Sequence, residues 1–412
     1  MTTLDRLEET RRRLIGTLFA GNAIASTAYI GVATVGALIA EEITGSTSLS
    51  GLAPTLGTLG VAFGAALLSW TSSRVGRRPS FTFGFALAAG GAVLSLLSIG
   101  AGSLLLLLFG SFLVGTGRSV TQLARYAAGD MRTEDRRASA ISMIVWASTF
   151  GAIIGPLLIG PTSTFAVTAG LNEFVGPVSM AVIGFGLGTI LMYIGLRPDP
   201  INLVVGDDTD EDPDATSTPI SSLLSSRTVQ LSITAIIISQ MVMVLVMVMT
   251  PLHIRDNDGS LAIVGWVMMA HAVGMFAIAP VTGWLVSRLG AQVMIGVAVA
   301  TFLASCGLAV AATTAQTPIL LVSMFGVGVA WNFGYVAGST LLQHGVAVRD
   351  RLKLQGVADS SAWITSAFAA AISGVVLAAT SYGALAVMGA LLAMLPLIPM
   401  QRLRTAEAIG RG

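Results

Sequence analysis

Charged residues and cysteine are scarce in this chain, and each scarcity excludes a class of protein. Charged side chains make up 10% of its 412 residues, against about 25% in a soluble globular domain. The single cysteine, Cys306, excludes an intrachain disulfide bond and a cysteine metal cluster. A net charge of +1 gives no sign of a nucleic-acid partner. We therefore expect neither a soluble globular domain nor a nucleic-acid-binding protein.

The sequence signatures of common catalytic sites are absent as well. There is no phosphate-binding loop of the G-x-x-x-x-G-K-[ST] type, so an ATP-driven pump is not expected. There is also no His, Cys or acidic cluster with metal-ligand spacing, and no nucleophile paired with a base. We expect no enzymatic activity, no cofactor and no metal.

Apolar sequence is what the chain has in abundance. Hydrophobic residues make up 54% of it, and the mean hydropathy is +0.82. A helix needs about 20 apolar residues to cross a bilayer, and the first apolar run is too long for a signal peptide. Twelve spans are predicted, at 14–40, 51–71, 80–99, 104–128, 138–160, 173–196, 229–253, 262–286, 291–312, 318–343, 355–379 and 382–400.

The positive charges alternate between successive gaps in this pattern. Of the 22 Lys and Arg residues, 19 lie in every second gap or at the chain ends. Arg255 lies in the other set of gaps, and Arg118 and Arg125 lie inside a span. Because positive charge near helix ends stays on the cytoplasmic side, we expect a multi-pass protein of the plasma (inner) membrane with both termini in the cytoplasm.

The longest connection, 197–228, has six predicted spans on each side of it. Its acidic, Pro-, Ser- and Thr-rich composition cannot bury a core, so we expect a mobile cytoplasmic linker between bundles at 1–196 and 229–412. Its acidic cluster is Asp207, Asp208, Asp210, Glu211, Asp212 and Asp214.

The two halves show signs of a duplication. The segment Ser73-Arg74-Val75-Gly76 follows the second span, and Ser287-Arg288-Leu289-Gly290 follows the eighth, 214 residues later. Small glycine motifs at 115–117 and 326–328 also correspond. Transporters are often built from such repeats. We therefore predict an all-α membrane protein of twelve transmembrane helices in two pseudo-symmetric six-helix bundles.

The gap after the second span carries a recognisable motif. Its residues are Ser69, Trp70, Thr71, Ser72, Ser73, Arg74, Val75, Gly76, Arg77 and Arg78. This segment resembles the G-x-L-a-D-r-x-G-r-r loop of the major facilitator superfamily, and the resemblance extends over essentially the whole chain. Arg74, Gly76, Arg77 and Arg78 match this conformational motif, whereas Ser73 stands where the family has an acid. Asp130 or Asp359 could supply the substitute carboxylate.

A second motif lies in the fifth span, where Gly155 and Pro156 fall within the sequence GAIIGPLLIG at 151–160. This sequence resembles the motif g-x-x-x-G-P-x-x-G-G of the drug and metabolite:proton antiporters in that superfamily. The resemblance implies proton-coupled export. The alternative is a Gly/Pro kink that only permits close helix packing.

The fourth span holds the most unusual charge. Arg118, Gln122 and Arg125 recur at intervals of four and three and share one helix face. A charge at the centre of the membrane costs about 2.5–3.5 kcal/mol when it faces lipid. Arg118 is therefore expected to face a cavity and to hold an anionic or carbonyl group of the substrate, or else to cap carbonyls within the bundle. Arg125 lies nearer the interface.

The resemblance implies a central cavity among helices 1, 4, 7 and 10. The polar and aromatic residues predicted to bind substrate there, together with Arg118, are Asn22, Tyr29, Gln122, Gln240, Trp331, Asn332 and Tyr335. The alternative for each is ordinary packing. Asp359 and His271 are the best candidates for a proton carrier, since few titratable groups lie in the spans. Asp359 could instead form a static pair with Arg349, Arg351 or an arginine of the loop between the second and third spans.

The leading hypothesis is a monomeric, proton-coupled secondary exporter of small amphipathic molecules that works by alternating access in the lipid bilayer. One alternative is an importer or facilitator of an organic anion, with Arg118 and Arg125 as its anion site. Another is a membrane receptor or sensor that binds its ligand without moving it.

Overall fold

The computed structural model describes residues 3–132, 134–203, 220–312, 317–343 and 348–409, and all regular structure in these ranges is helical. Within these ranges, twelve helices or interrupted helices are long and apolar enough to cross a membrane. This confirms the predicted all-α class and the count of twelve spans. The chain divides into two compact units, Met1–Asp208 with Ser260–Gly265, and Thr209–Gly259 with Trp266–Gly412.

Six long helices build the first unit. They are α1 (Thr3–Thr44), α2 (Leu52–Val75), α3 (Arg77–Ala101), α4 (Leu104–Asp130), α5 (Glu134–Thr168) and α6 (Val175–Gly195). Helix α4 packs against α2 on one side and α3 on the other, while α1 packs against α5 and α6. Phe85 of α3 and Phe185 of α6 are fully buried and contact each other across the α3–α6 interface.

The second unit repeats this plan with two interruptions. Its helices are α7 (Arg227–Asp256), α8 (Leu261–Phe276 and Ala279–Leu289, of which 261–265 group with the first unit), α9 (Ala291–Ala311), α10 (Thr317–Gln343), α11 (Val348–Ala379) and α12 (Tyr382–Ala393 and Leu397–Ile409). The sequence predicted one continuous helix for each of the spans 262–286 and 382–400, whereas the structure has two consecutive helices in each. Each is interrupted close to a proline, Pro280 or Pro396, because proline lacks the N–H that would continue the helical ladder.

Small residues set the spacing around α4. A Cβ on Gly60 or Gly115 would collide with backbone of the facing helix, and one on Gly91 would lie 2.6 Å from the carbonyl of Gly110. Backbones approach this closely only where side chains are minimal. Helix α4 is therefore held between α2 and α3 by direct backbone packing.

The start of the predicted linker has local structure and contacts α3. Residues Pro200–Leu203 form a turn of 3-10 helix, and Asp199 just before it is hydrogen-bonded to α3. A short helix, Ile220–Ser225, precedes α7. The stretch 204–219, for which mobility was predicted and which holds the acidic cluster, lies outside the described residues.

Candidate functional site

Arg118 of α4 and Tyr29 of α1 meet near the middle of their spans. The guanidinium carbon of Arg118 lies 3.9 Å from the centroid of the Tyr29 ring, and both side chains are partly buried. Within the described residues, the Arg118 guanidinium has no ion pair and no hydrogen-bond acceptor. The aromatic face balances part of the charge, and the N–H donors remain available to a ligand.

The structure separates the second arginine of α4 from this pair. Arg125 donates a hydrogen bond to the hydroxyl of its neighbour Tyr126 at 3.0 Å and lies 4.8 Å from that ring. Tyr126 is half exposed on the outside of the unit. Gln122 lies partly buried between the two arginines. Arg118, Gln122 and Arg125 are thus all partly buried on α4, but Arg118 lies over Tyr29 whereas Arg125 contacts its neighbour Tyr126.

Asn22 was predicted to bind substrate, but it is 1% exposed. Its amide nitrogen donates to the carbonyl of Ile144 at 2.8 Å and to the hydroxyl of Ser148 at 2.7 Å, both on α5. The side chain joins α1 to α5 and leaves no surface for a ligand.

The motif between α2 and α3 turns on one glycine. Gly76 has φ +97° and ψ 167°, a conformation open to glycine and strained for other residues. A Cβ there would overlap the carboxylate of Asp199. That carboxylate accepts the backbone N–H of Arg77 at 3.1 Å and of Arg78 at 3.0 Å. Asp199 thus caps the first turn of α3, where a negative charge is favoured by the helix dipole.

The arginine side chains of the motif reach other helices. Arg77 forms an ion pair with Asp130 at the end of α4. Of the two predicted substitute carboxylates, Asp130 and Asp359, the structure therefore places Asp130 at the motif. Arg78 donates to the carbonyl of Tyr193 at 3.0 Å. Arg74 lies 4.5 Å from the ring centroid of Trp70.

Sequence reasoning missed Asp199 altogether. It lies 122 residues from its partner Arg77, and no local periodicity reports such a contact. The only local signal is its position between Pro198 and Pro200, which predicts a turn but not the helix it caps.

The Gly/Pro motif of α5 faces α1. A Cβ on Gly151 would collide with Ser26 and Thr27, and one on Gly155 would lie 2.9 Å from the Cβ of Ile30. Pro156 is buried inside α5 without ending the helix. The motif therefore provides close packing between α1, which carries Tyr29, and α5.

In the second unit, four predicted residues form a connected chain of contacts. The indole N–H of Trp331 donates to the side-chain carbonyl of Gln240 at 2.7 Å. The Trp331 ring stacks on Tyr335, with centroids 5.0 Å apart. The Tyr335 hydroxyl donates to the carboxylate of Asp359 at 3.1 Å. Gln240 of α7, an aromatic pair of α10 and an exposed carboxylate of α11 are thus brought together.

Phe276, which was not predicted as a site residue, adds a third aromatic ring to the stacked pair of Trp331 and Tyr335. Its ring meets that of Trp331 edge to face, with centroids 6.1 Å apart. Apolar residues recur so often in this chain that nothing in the sequence distinguishes Phe276 from its neighbours. The predicted alternative partners of Asp359, Arg349 and Arg351, lie outside the residues whose side chains are described.

The two other predicted residues of the second unit are engaged in packing. Asn332 is 2% exposed; it donates to the carbonyl of Met275 at 2.6 Å and accepts from Thr282, so it joins the two pieces of α8. His271 is 2% exposed. Its Nδ1 lies 2.9 Å from the carbonyl of Met324 on α10, and its Nε2 has no partner among the described residues.

A cavity of about 700 Å³ opens between α1, α5 and α6. Its lining is almost entirely apolar, with Ile24, Phe150, Phe165, Met180 and Ile183 among its walls. None of the predicted site residues lines it. Because these helices are membrane spans, the cavity is a groove suited to hydrocarbon.

Comparison with known proteins identifies the family. The family profile described as Major Facilitator Superfamily matches residues 18–257 and 231–408. The chain is 33% identical to YdeG, an uncharacterized MFS-type transporter of Bacillus subtilis (strain 168), over 94% of this chain and 89% of that one. It is 25% identical to the riboflavin transporter RfnT of Brucella anthropi, over 88% of each.

The fold agrees with that of solved structures. An auto-inhibited POT family peptide transporter superposes with a TM-score of 0.71, covering 95% of this chain and 97% of that one, at 11% identity. At this identity the likeness concerns the fold alone. The family profile, the relatives and the twelve spans agree, and the chain belongs to the Major Facilitator Superfamily of membrane transporters.

Proposed function

We propose that this transporter exports small amphipathic molecules by alternating access, in exchange for protons. The observation that carries the proposal is the Arg118–Tyr29 pair. A guanidinium in the middle of a span costs several kcal/mol unless it is paired or faces water, and here its donors have no acceptor among the described residues. A substrate with a carbonyl or anionic group would satisfy them.

The aromatic surfaces favour a flat substrate. Each unit carries aromatic ring faces of its own, Tyr29 beside Arg118 in the first and the stacked Trp331 and Tyr335 in the second, and such faces taken separately bind planar apolar groups. RfnT, a related protein, is named as a riboflavin transporter, and riboflavin has a planar aromatic ring system that carries two carbonyl groups. We therefore propose planar aromatic amphipaths as the substrate class, with riboflavin as a first probe.

Two features support proton-coupled export. The Gly155-Pro156 motif resembles that of proton-coupled exporters, and its close packing holds α5 against the helix that carries Tyr29. Asp359 offers an exposed carboxylate that Tyr335 links to the aromatic pair.

A second candidate is import or facilitated diffusion of an organic anion. The specific observation in its favour is again Arg118, a cation with no acid near it among the described residues. In this alternative the substrate carries the charge that balances Arg118, and no proton is moved.

The first test measures substrate flux in proteoliposomes. Arg118→Lys should lower flux of the best probe at least about tenfold, because a hydrogen bond to a charged group contributes about 1.5–3 kcal/mol and lysine lacks the planar fork of donors. Arg125→Lys, a matched change on the same helix, should leave flux near the wild-type value. Normal turnover in Arg118→Ala would exclude this role, and specific binding without flux in wild type would favour the receptor alternative.

The second test imposes a pH gradient on the same vesicles. Asp359→Asn should abolish gradient-driven accumulation while leaving downhill exchange, because the conformational cycle survives the loss of its coupled ion. His271→Gln is the comparison, since His271 is buried against α10. A purely structural Asp359 would instead lower protein yield and both modes of flux together. Wild-type flux that ignores both pH gradient and membrane potential would favour the facilitator.

A further inference from the structure

Two arginines lie over one exposed tyrosine at the end of α6, and a third arginine contacts the backbone beside it. The guanidinium carbons of Arg78 and Arg197 lie 4.9 Å and 5.2 Å from the ring centroid of Tyr193. Arg13 of α1 donates a hydrogen bond to the backbone carbonyl of Arg197. We call Arg13, Arg78, Tyr193 and Arg197 the Tyr193 patch. It joins three helices at one end of the first unit.

The charges of the Tyr193 patch are not neutralised by side chains that the structure describes. No ion pair to Arg13, Arg78 or Arg197 is found there; the carboxylates paired with other arginines of the unit are Glu8 and Asp130. Asp199 directs its carboxylate to backbone N–H groups of α3. Because the two guanidinium carbons lie 4.9 Å and 5.2 Å from the centroid of the same ring, they are at most about 10 Å apart, close to the range of about 8–10 Å over which salt screens exposed charges. The two positive charges repel each other unless an anion lies between them.

An apolar stripe leads away from the patch along α6. Ile183, Leu187, Ile190 and Ile194 are 62%, 52%, 56% and 63% exposed, and their spacing places them on one helix face. In a membrane span this face contacts acyl chains. Ile183, at the far end of the stripe, also lines the apolar groove between α1, α5 and α6.

We propose that the Tyr193 patch binds the headgroup of an anionic phospholipid, with the acyl chains lying along the exposed stripe of α6. Phosphate oxygens accept the charged N–H donors of several arginines at once. Tyrosine is favoured at the level of the headgroups, and basic pockets between membrane helices bind anionic headgroups. The proposal is independent of the substrate and of the direction of transport.

The stripe favours a lipid over the other possible anions. A free phosphate ion would gain only the electrostatic contacts, whereas a lipid also covers the exposed apolar face. The acidic cluster 207–214 of the same chain is a second possible anion. It carries no apolar residue except Pro213, so it offers nothing to the stripe.

The test measures binding of acyl-labelled phosphatidylglycerol to the purified full chain in mixed micelles by fluorescence anisotropy, with phosphatidylcholine as the neutral probe. The double variant Arg78→Gln/Arg197→Gln should weaken phosphatidylglycerol binding by tenfold or more, since each arginine near the surface contributes roughly fivefold. Phosphatidylcholine binding should not change. Arg288→Gln is the matched control, because Arg288 lies over Trp284, 4.7 Å from its centroid, with no second arginine over that ring in the part of the chain that the structure describes.

A charge-preserving pair separates lipid binding from folding. Arg78→Lys/Arg197→Lys keeps both charges and should retain most of the affinity, whereas a packing role would make it fail like the glutamine pair. Unchanged phosphatidylglycerol affinity in the glutamine pair would overturn the proposal. So would displacement of the lipid by inorganic phosphate at equal concentration. An affinity that rises tenfold when the acids of 207–214 are replaced by their amides would assign the patch to the linker instead.

Discussion

The two loops that join α2 to α3 and α8 to α9 have the same backbone and different surroundings. Gly76 and Gly290 both have positive φ, +97° and +85°, and both end one helix and begin the next. The two loops also share two contacts. In each, the glycine N–H donates to the carbonyl four residues earlier, and the arginine two residues before the glycine lies over a tryptophan ring, at 4.5 Å in the first loop and 4.7 Å in the second. The duplication seen in the sequence therefore extends to backbone conformation.

The difference lies in what faces the glycine. The Cβ position of Gly76 is occupied by the Asp199 carboxylate, whereas nothing described lies within 4 Å of that position at Gly290. In the first unit, Arg77 also extends to Asp130; Ala291 stands at the corresponding place in the second. The loop at Gly290 therefore needs glycine only for its positive φ. The loop at Gly76 needs glycine both for its positive φ and for the space that the Asp199 carboxylate occupies.

The largest effect expected from this comparison is at Gly76. A side chain at either glycine adopts a strained conformation that costs about 1–3 kcal/mol, but Gly76→Ala must also displace Asp199. We expect Gly76→Ala to lower the thermal unfolding temperature of the purified protein clearly more than Gly290→Ala does. Equal losses in the two variants would show that Asp199 does not occupy this space.

A smaller effect is expected at Asp199. Asp199→Ala leaves backbone N–H groups of α3 without their acceptor, which costs about 1–3 kcal/mol and less if water replaces it. In this background, adding Gly76→Ala should cost only what Gly290→Ala costs, because the collision has gone. A double-mutant cycle measures this coupling, and strictly additive losses would contradict the proposed contact.

The fold was predictable because it depends on averages over many residues. Twelve spans follow from hydropathy. The breaks in α8 and α12 were not predicted, because an average over about 20 residues hardly changes when it includes one proline such as Pro280 or Pro396. The helix ends differ for the same reason: α1 begins at Thr3 rather than at 14, since its first turns are polar but still helical.

The candidate site was predictable only in part. Arg118 was identified because a charge at that depth is costly, and the costly residue does face a partner, Tyr29. Asn22 and Asn332 are also polar residues inside a span, yet each is buried and hydrogen-bonded to a backbone carbonyl of a neighbouring helix. Polarity inside a span therefore marks a residue that needs a partner, but not whether the partner is a substrate or a carbonyl.

The backbone packing of α4 has a consequence for how this transporter can change through evolution. The faces that meet α2 and α3 carry Gly110, Gly115 and Gly117, each without room for one more carbon. Arg118 and Gln122 on the same helix are only partly buried. Under the proposed function, substitutions at these two positions would alter what is recognised, whereas substitutions at the three glycines would push α4 away from α2 or α3. Specificity can drift in such a helix without any loss of its place in the bundle.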